Sequence, residues 1–321
     1  MLIQHLLTER IFRRVFDNSD FAQRNVIARE IETVIQALTA QHFSRHSFLA
    51  SLDRFYGAIE ATAATIDDFS QKQDFLNTVY ENFFQGFSVK VADTHGIVYT
   101  PQPIVDFMVR SVDVLLGEEF GRSLGAPDVH VLDPFVGTGN FILRAMHEIR
   151  TRLEQKYATK LHCNEVMLPP YYIAAMNIEH AFYELTGTAT NPLRASVSPT
   201  PLNWAPATPQ PGLFAPQNSE RVAHQQAADI TVIIGNPPYN AWQLNENDNN
   251  KNRSYPLLDK RVSETYAKAS AATNKNALSD PYVKAFRWAA DRLVTRASSP
   301  LSATIRLSMP CRLMGCKQLG E

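Results

Sequence analysis

Val131-Leu132-Asp133-Pro134-Phe135-Val136-Gly137-Thr138-Gly139-Asn140-Phe141 is the stretch that decides the fold. It begins as a short apolar strand, His130 to Asp133, passes a carboxylate and a proline, turns on two glycines and opens a helix predicted from about Asn140 to Tyr157. Glycine lets a backbone pass close to a ligand, and a helix start offers unpaired N–H groups to a carboxylate or phosphate. Such a turn alone fits a plain strand-to-helix connection as well as it fits a ligand site. Asp133 shifts the balance, because a carboxylate there can face the amino group of a bound amino-acid moiety. The spacing is not that of the G-x-G-x-x-G dinucleotide fingerprint, which argues against a nicotinamide cofactor.

Downstream, a second strand ends near Glu165 and a helix is predicted from about Pro170 to Thr186. The continuous apolar run Asp229 to Gly235 suits a central parallel strand and delivers Asn236-Pro237-Pro238-Tyr239 to its carboxyl end. Strand, turn, helix, strand, helix is the order of a parallel sheet covered by helices. In that order Glu165 stands where an acid accepts hydrogen bonds from the two hydroxyls of a ribose. Between Asn191 and Pro216 the order stops: prolines at 192, 199, 201, 206, 209, 211 and 216 leave no period, and the stretch reads as an irregular loop. Asn245 to Asn252 reads as a solvated loop, and a further helix is predicted from about Pro281 to Thr295.

Upstream, Thr100 reads as an N-cap with Pro101 at the first helical position, and Ile104, Phe107, Met108, Val112, Leu115 and Leu116 give the buried stripe. The first 90 residues are helical throughout by their spacing: Ile27, Ile31, Val34, Ile35 and Leu38, then Phe48, Leu52, Phe55, Tyr56 and Ile59, then Phe75, Leu76, Val79, Tyr80 and Phe83. Arg10, Arg13, Arg14, Arg24 and Arg29 on these helices either meet phosphate or form solvated faces, and the pattern is the same in both cases.

The whole chain has 321 residues, 45% hydrophobic and 20% charged, with net charge −1, enough for one sizeable core or two small ones. No apolar run reaches the length of a spanning helix, and MLIQHLLTER is too polar for a secretory signal, so a cytoplasmic protein with no membrane partner is expected. Cys163, Cys311 and Cys316 are too few and scattered for a disulfide framework, and no Cys or His pairs have zinc-site spacing, so no metal is assigned. Near-zero net charge argues against coating nucleic acid by bulk electrostatics and leaves room for a local basic groove.

Two prolines directly after a buried strand stop the ladder and hold Asn236 and Tyr239 in fixed directions. A rigid turn accounts for the prolines but not for the amide and the aromatic that flank them. An amino group conjugated to a purine ring is a poor nucleophile, and it improves when acceptors draw its N–H bonds out of the ring plane. The Asn236 side-chain oxygen and the Pro237 carbonyl fit that task, Tyr239 can stack on the base, and the base must first leave the duplex.

With these residues in view, D-P-F-V-G-T-G-N-F followed by G-N-P-P-Y, and Tyr99-Thr100-Pro101 ahead of both, resembles the N6-adenine DNA methyltransferases whose cofactor motifs precede the catalytic one. From about residue 5 to 295 the chain is similar to the coupler and methyltransferase region of single-chain Type ISP restriction-modification enzymes. The resemblance implies an α/β fold: an incomplete Rossmann-like, S-adenosylmethionine-dependent methyltransferase sheet preceded by an all-helical segment. Residues 1–90 would be coupler-like, 91–296 the front half of the methyltransferase domain and 297–321 an out-of-pattern tail. The implied cofactor is S-adenosylmethionine and the implied partner double-stranded DNA. Tyr99, Thr100 and Pro101 would hold the methionine end of the cofactor. Asp133, Pro134, Phe135, Gly137, Thr138, Gly139 and Phe141 would line its amino-acid and sulfonium portion, Glu165 its ribose. Asn236, Pro237, Pro238 and Tyr239 would hold the flipped adenine.

The resemblance breaks at two places. Where the family carries a third strand with an acidic residue facing the cofactor's adenine, this chain reads Arg194-Ala-Ser-Val-Ser-Pro-Thr-Pro201, as a reading frame shifted between about Pro192 and Pro201 would give. After Arg296 the family's next strand is not recognisable either. The expectation is therefore a truncated form lacking nuclease, helicase and specificity regions. Two other readings stay open: a protein glutamine N5-methyltransferase, since N-P-P-Y suits any planar nitrogen, and an inactive cofactor-binding or interaction remnant.

Overall fold

The computed structural model describes residues 2–15, 23, 25–39, 44–68, 71–72, 75–76, 78–79, 100–188, 196–197, 216–238, 254–271, 273 and 276–294. Strand β1 (His130–Asp133) is buried along its whole length. It pairs in parallel with β2 (Leu161–Glu165), Val131 facing Leu161 and Asp133 facing Cys163. A two-residue β3 (Ser196–Val197) continues the sheet beyond β2, facing Asn164 and Glu165. On the other side of β1 lies β4 (Ile230–Ile233), also parallel, so the order is β3-β2-β1-β4. The chain thus steps outward from β1 to β3 and returns past β1 to β4. That reversal makes the carboxyl ends of β1 and β4 a topological switch point, where open parallel sheets bind ligands.

The register slips once between β1 and β4: His130 faces Ile230, but Val131 faces Val232. The extra residue is Thr231. Its hydroxyl accepts the His130 N–H at 2.8 Å and donates to the His130 carbonyl at 3.0 Å. Neither backbone group of His130 is left unpaired by the bulge.

The N-terminal helices α1 (Leu2–Val15), α2 (Val26–Thr39), α3 (Arg45–Leu49) and α4 (Asp53–Ala63) precede α5 (Gln102–Phe120). Between β1 and β2 run α6 (Asn140–Ile149) and α7 (Leu153–Thr159). Helix α8 (Leu168–Thr186) follows β2, α9 (Pro216–Ala227) precedes β4, and α10 (Pro256–Val262) and α11 (Pro281–Val294) come last. One apolar core joins the N-terminal helices to the sheet: Leu6, Ile27 and Ile31 belong to the same cluster as Val109, Met146, Tyr172 and Val232. A smaller cluster, Leu132, Ile230, Leu258 and Trp288, seats α10 and α11 on the sheet. No described helix is long and apolar enough to cross a membrane.

Several expectations need correction. Thr100 does not cap α5: Pro101 is the cap residue, without a side-chain bond, and Pro103 sits in the first turn. The buried face of α5 runs Val105, Met108, Val109, Val112 and Leu116, which leaves Phe107, one helical step off it, 68% exposed. The helix after the glycine turn breaks at a 3-10 turn, Arg150–Arg152, and beyond the break Leu153 and Tyr157 are buried again. Ser196 and Val197 form a strand inside the stretch read as an irregular loop, since an edge strand of two residues is too short to show a period. Helix α9 had no apolar stripe to announce it, and α10, seven residues long, shows only Leu258 and Val262 on its buried face. α9 meets the sheet through polar pairs, among them a reciprocal amide pair between Asn164 and Gln225 at 3.0 Å in each direction. Among the described residues β4 is an outer strand of the sheet, not a central one. In the N-terminal helices Ile27, Ile31, Ile35, Tyr56 and Ile59 are buried as their spacing predicts, whereas Leu38, Phe48 and Phe55 are exposed. Tyr80, Phe83, Tyr99, Arg24 and residues 297–321 lie outside the described residues.

At the amino end of the sheet the His130 and His162 rings lie parallel, Nδ1 to Nε2 at 3.1 Å, and the Lys160 ammonium reaches His130 Nε2 at 2.7 Å. Burial, then the neighbouring Lys160 and Lys156, push His130 down to about 4; burial, then His130 and His224, push His162 down to about 3. Both values lie below the ordinary 6.5, so the unfolded chain takes up these protons first. Stability should accordingly fall as pH drops below about 6.5, by up to about 1.4 kcal/mol per pH unit for each histidine. Denaturant melts between pH 4 and 7 check this: His162→Gln should show a shallower acid limb than the wild type.

Candidate active site

The end of β1 carries a carboxylate with no solvent exposure. Asp133 Oδ1 accepts the Phe135 N–H at 3.0 Å, while Oδ2 is buried with no hydrogen-bond partner among the described residues. Burial, opposed by the Phe135 N–H and reinforced by Glu165, pushes its pKa up to about 8. It fits there because Gly235, at the end of β4, has no side chain: a Cβ at Gly235 would lie 2.5 Å from Asp133 Oδ1.

The glycine turn that follows is built by positive φ angles of 54° at Gly137 and 104° at Gly139. The two glycines serve different ends. A Cβ on Gly139 would press Ile178 of α8 at 3.3 Å, whereas a Cβ on Gly137 would meet nothing within 4 Å. Gly139 therefore seats the turn on a helix, and Gly137 leaves space beside it. The turn is tied down by Val136 N–H to the Asn164 carbonyl at 3.0 Å and by the Asn177 amide to the Thr138 carbonyl at 3.0 Å.

Glu165, ending β2, reaches across to the same turn. Its Oε2 accepts the Gly137 N–H at 3.1 Å, and Oε1 accepts the N–H groups of Val166 and Met167 at 2.8 and 2.9 Å. Burial raises its pKa to about 7 against the pull of these three donors. One carboxylate thus joins the glycine turn to the start of α8.

At the end of β4, the Asn236 amide donates to Thr100 Oγ1 at 3.1 Å across 136 positions of sequence. That bond engages the amide's NH2 end with Thr100; the amide oxygen can only accept. A cleft of about 100 Å³ beside it is lined by Pro134, Phe135, Gly235, Pro237, Met108 and Phe286.

The structure therefore brings together residues expected from three separate motifs. Asp133 meets Gly235, Gly137 meets Glu165, Asn236 meets Thr100, and Pro134 and Phe135 share a cleft with Pro237. Thr100, expected toward a cofactor, contacts the amide of the catalytic motif. Phe141 lies in the core, and Pro101 begins α5. Pro238 is described, half-buried after β4, whereas Tyr239 and Tyr99 fall outside the described residues. Gly235, read only as the end of a strand and the first residue of G-N-P-P-Y, proves to make room for Asp133, and Asn177, a polar residue 2% exposed in an otherwise apolar helix, was missed.

A family profile described as N-6 DNA Methylase matches residues 71–272, and one described as the coupler domain of Type ISP restriction-modification enzymes matches residues 1–71. Three solved structures are similar over 91% of this chain, each with a TM-score of 0.80. They are a cryo-EM structure of a DrdV–DNA complex at 42% identity, the ATP-dependent Type ISP restriction-modification enzyme LlaBIII bound to DNA at 35%, and a nuclease-deletion mutant of the Type ISP enzyme LlaGI with a DNA substrate mimic at 37%. The match spans 28%, 20% and 24% of those chains respectively. No curated protein matches.

Gly235 is the tightest point of this arrangement. Gly235→Ala should push Asp133 from its place and destabilise the fold by about 1–3 kcal/mol, read as a lowered denaturation midpoint, with Gly57→Ala, whose Cβ meets nothing within 4 Å, as the control.

Proposed function

This chain belongs to the N-6 DNA methylase family, and on that premise we propose that it takes part in methylating N6 of adenine in duplex DNA within a restriction-modification system, with S-adenosylmethionine as cofactor. The observation that carries the reading is the meeting of Asp133, Gly137, Glu165 and Asn236 at one switch point of the sheet. Residues 1–90 act as coupler and 91–296 as methyltransferase part. The coupler match at residues 1–71 favours DNA over a protein glutamine as acceptor.

The residues fit the cofactor. Asp133 Oδ2 is a buried acceptor with no donor among the described residues, as a carboxylate awaiting an ammonium would be. Gly137 leaves its side of the turn open, and the Glu165 oxygens face that turn as ribose acceptors. When bound, S-adenosylmethionine supplies a methyl group activated by an adjacent sulfonium. The chain's own task is then positioning. Asn236 Oδ1 and the Pro237 carbonyl accept the N–H groups of a flipped adenine and draw its nitrogen lone pair out of conjugation. The amide bond to Thr100 holds Asn236 in the direction this needs. Tyr239 stacks on the base by its place in the motif, and no strong base is required because the proton leaves after the nitrogen has gained its methyl group.

Transfer of labelled methyl groups from S-adenosylmethionine to duplex DNA tests the reading. Asn236→Ala should lower transfer by about 10²-fold or more while leaving cofactor binding within a few-fold. Cofactor binding without transfer by the wild type would favour the inactive remnant. Calorimetry adds a pH test. An ammonium beside Asp133 stabilises its ionised form, so binding releases a proton and affinity should rise with pH up to about 8, where the free carboxyl titrates. Asp133→Asn should remove the part of that dependence that reaches to pH 8, leaving the part set by Glu165, which titrates near 7.

A further inference from the structure

We infer that His5 and Tyr172 are positioning residues through which the N-terminal helices set the geometry of the cofactor site. The inference rests on the proposed reading of Glu165 and the glycine turn as that site.

Helix α8 is the element that touches both halves of it. Glu165 holds the two backbone N–H groups just ahead of α8, Val166 and Met167. Further along, Asn177 holds the Thr138 carbonyl, and Ala174 and Ile178 occupy the side of Gly139 where a Cβ would stand. A shift of α8 therefore moves the ribose carboxylate and the turn together. Pro169 and Pro170 occupy its first turn, where a missing N–H costs no helix hydrogen bond, and the Tyr171 N–H makes the first backbone bond, to the Met167 carbonyl at 3.2 Å.

On its other side α8 is held by side-chain bonds from the N-terminal helices. The Tyr172 hydroxyl, buried in α8, lies 2.7 Å from His5 Nδ1 on α1. His5 Nε2 lies 2.8 Å from Glu32 Oε1 on α2. The carboxylate can only accept, so in the neutral ring Nε2 carries the hydrogen and Nδ1 accepts from the tyrosine. Arg45 then bridges Glu32 and Glu9, each at 2.8 Å, closing α1, α2 and α3 around the histidine. The His5 hydrogen bond and Arg45 hold the Glu32 carboxyl below its ordinary range against burial, which keeps it charged. A second, weaker contact joins the Asn25 amide to the Tyr171 hydroxyl at 3.4 Å, while Asn25 Oδ1 caps α2 through the Ile27 and Ala28 N–H groups.

Removing the Tyr172 hydroxyl should weaken the cofactor site without touching it. In the full chain, Tyr172→Phe is expected to raise the calorimetric Kd for S-adenosylmethionine roughly 2- to 30-fold. A purely structural role would persist in any background. We therefore expect the increase to shrink below about 2-fold when Tyr172→Phe is made in a Glu165→Gln chain. His5→Gln, put through the same cycle, serves where Tyr172→Phe does not fold, as judged by thermal melting. Wild-type affinity in folded Tyr172→Phe and His5→Gln, or the same fold-change in both backgrounds, overturns the inference while leaving the cofactor reading intact. No binding by the wild type, or unaltered binding by Glu165→Gln, overturns that reading and the inference with it.

Discussion

A carboxylate removed from water must be compensated or neutralised, and the arrangement of β1 and β4 turns on how that is done for Asp133. One oxygen takes a backbone N–H from Phe135, the other takes none among the described residues, and the group responds by titrating near 8. The space it occupies exists because Gly235 lacks a side chain. From that contact the neighbouring features follow. Asn236 comes one residue after Gly235, Pro134 one residue after Asp133, and both prolines of the apolar cleft are delivered to the same end of the sheet. A single residue without a Cβ thus permits two motifs about a hundred positions apart to share one site.

The second constraint is α8. It runs along the glycine turn on one side and into the N-terminal helices on the other, and nearly all of its first fifteen residues are buried. Over that length the helix has almost no solvent face from which to adjust. Its position is therefore set by the few polar contacts that break the apolar packing: Asn177 with Thr138, Tyr172 with His5, Tyr171 with Asn25. Polar bonds in an apolar surround are directional where hydrocarbon packing is not, and they select one seating of the helix among several that would bury similar area.

The parts legible in the sequence are those in which local chemistry and periodicity agree. The strand before Asp133, the glycine turn and Glu165 at the end of the next strand stand where they were expected, and the apolar run before Asn236 is a parallel strand as expected, though an outer one among the described residues. What escaped depends on tertiary partners. α9 carries His224 and Gln225 where a stripe of aliphatic residues would be looked for, and it packs because the sheet presents His162 and Asn164 to it. Thr100 looked like a helix cap because threonine before proline commonly is one. Its hydroxyl instead bonds Asn236, a partner no local window contains.

Two of the arginines of the N-terminal helices, Arg10 and Arg13, resolve in a similar way. Sequence pattern alone left phosphate contact and a solvated face equally open. Arg10 reaches Asp53 at 2.6 Å and Glu60 at 2.8 Å and lies over the Tyr56 ring, and Arg13 approaches Glu9 at 3.4 Å. For Arg10 to serve a DNA phosphate it would have to leave two carboxylates, whose own repulsion would then be uncompensated. Together with Arg45 between Glu9 and Glu32, these pairs bind the helices to one another. They make the helical segment a brace for α8.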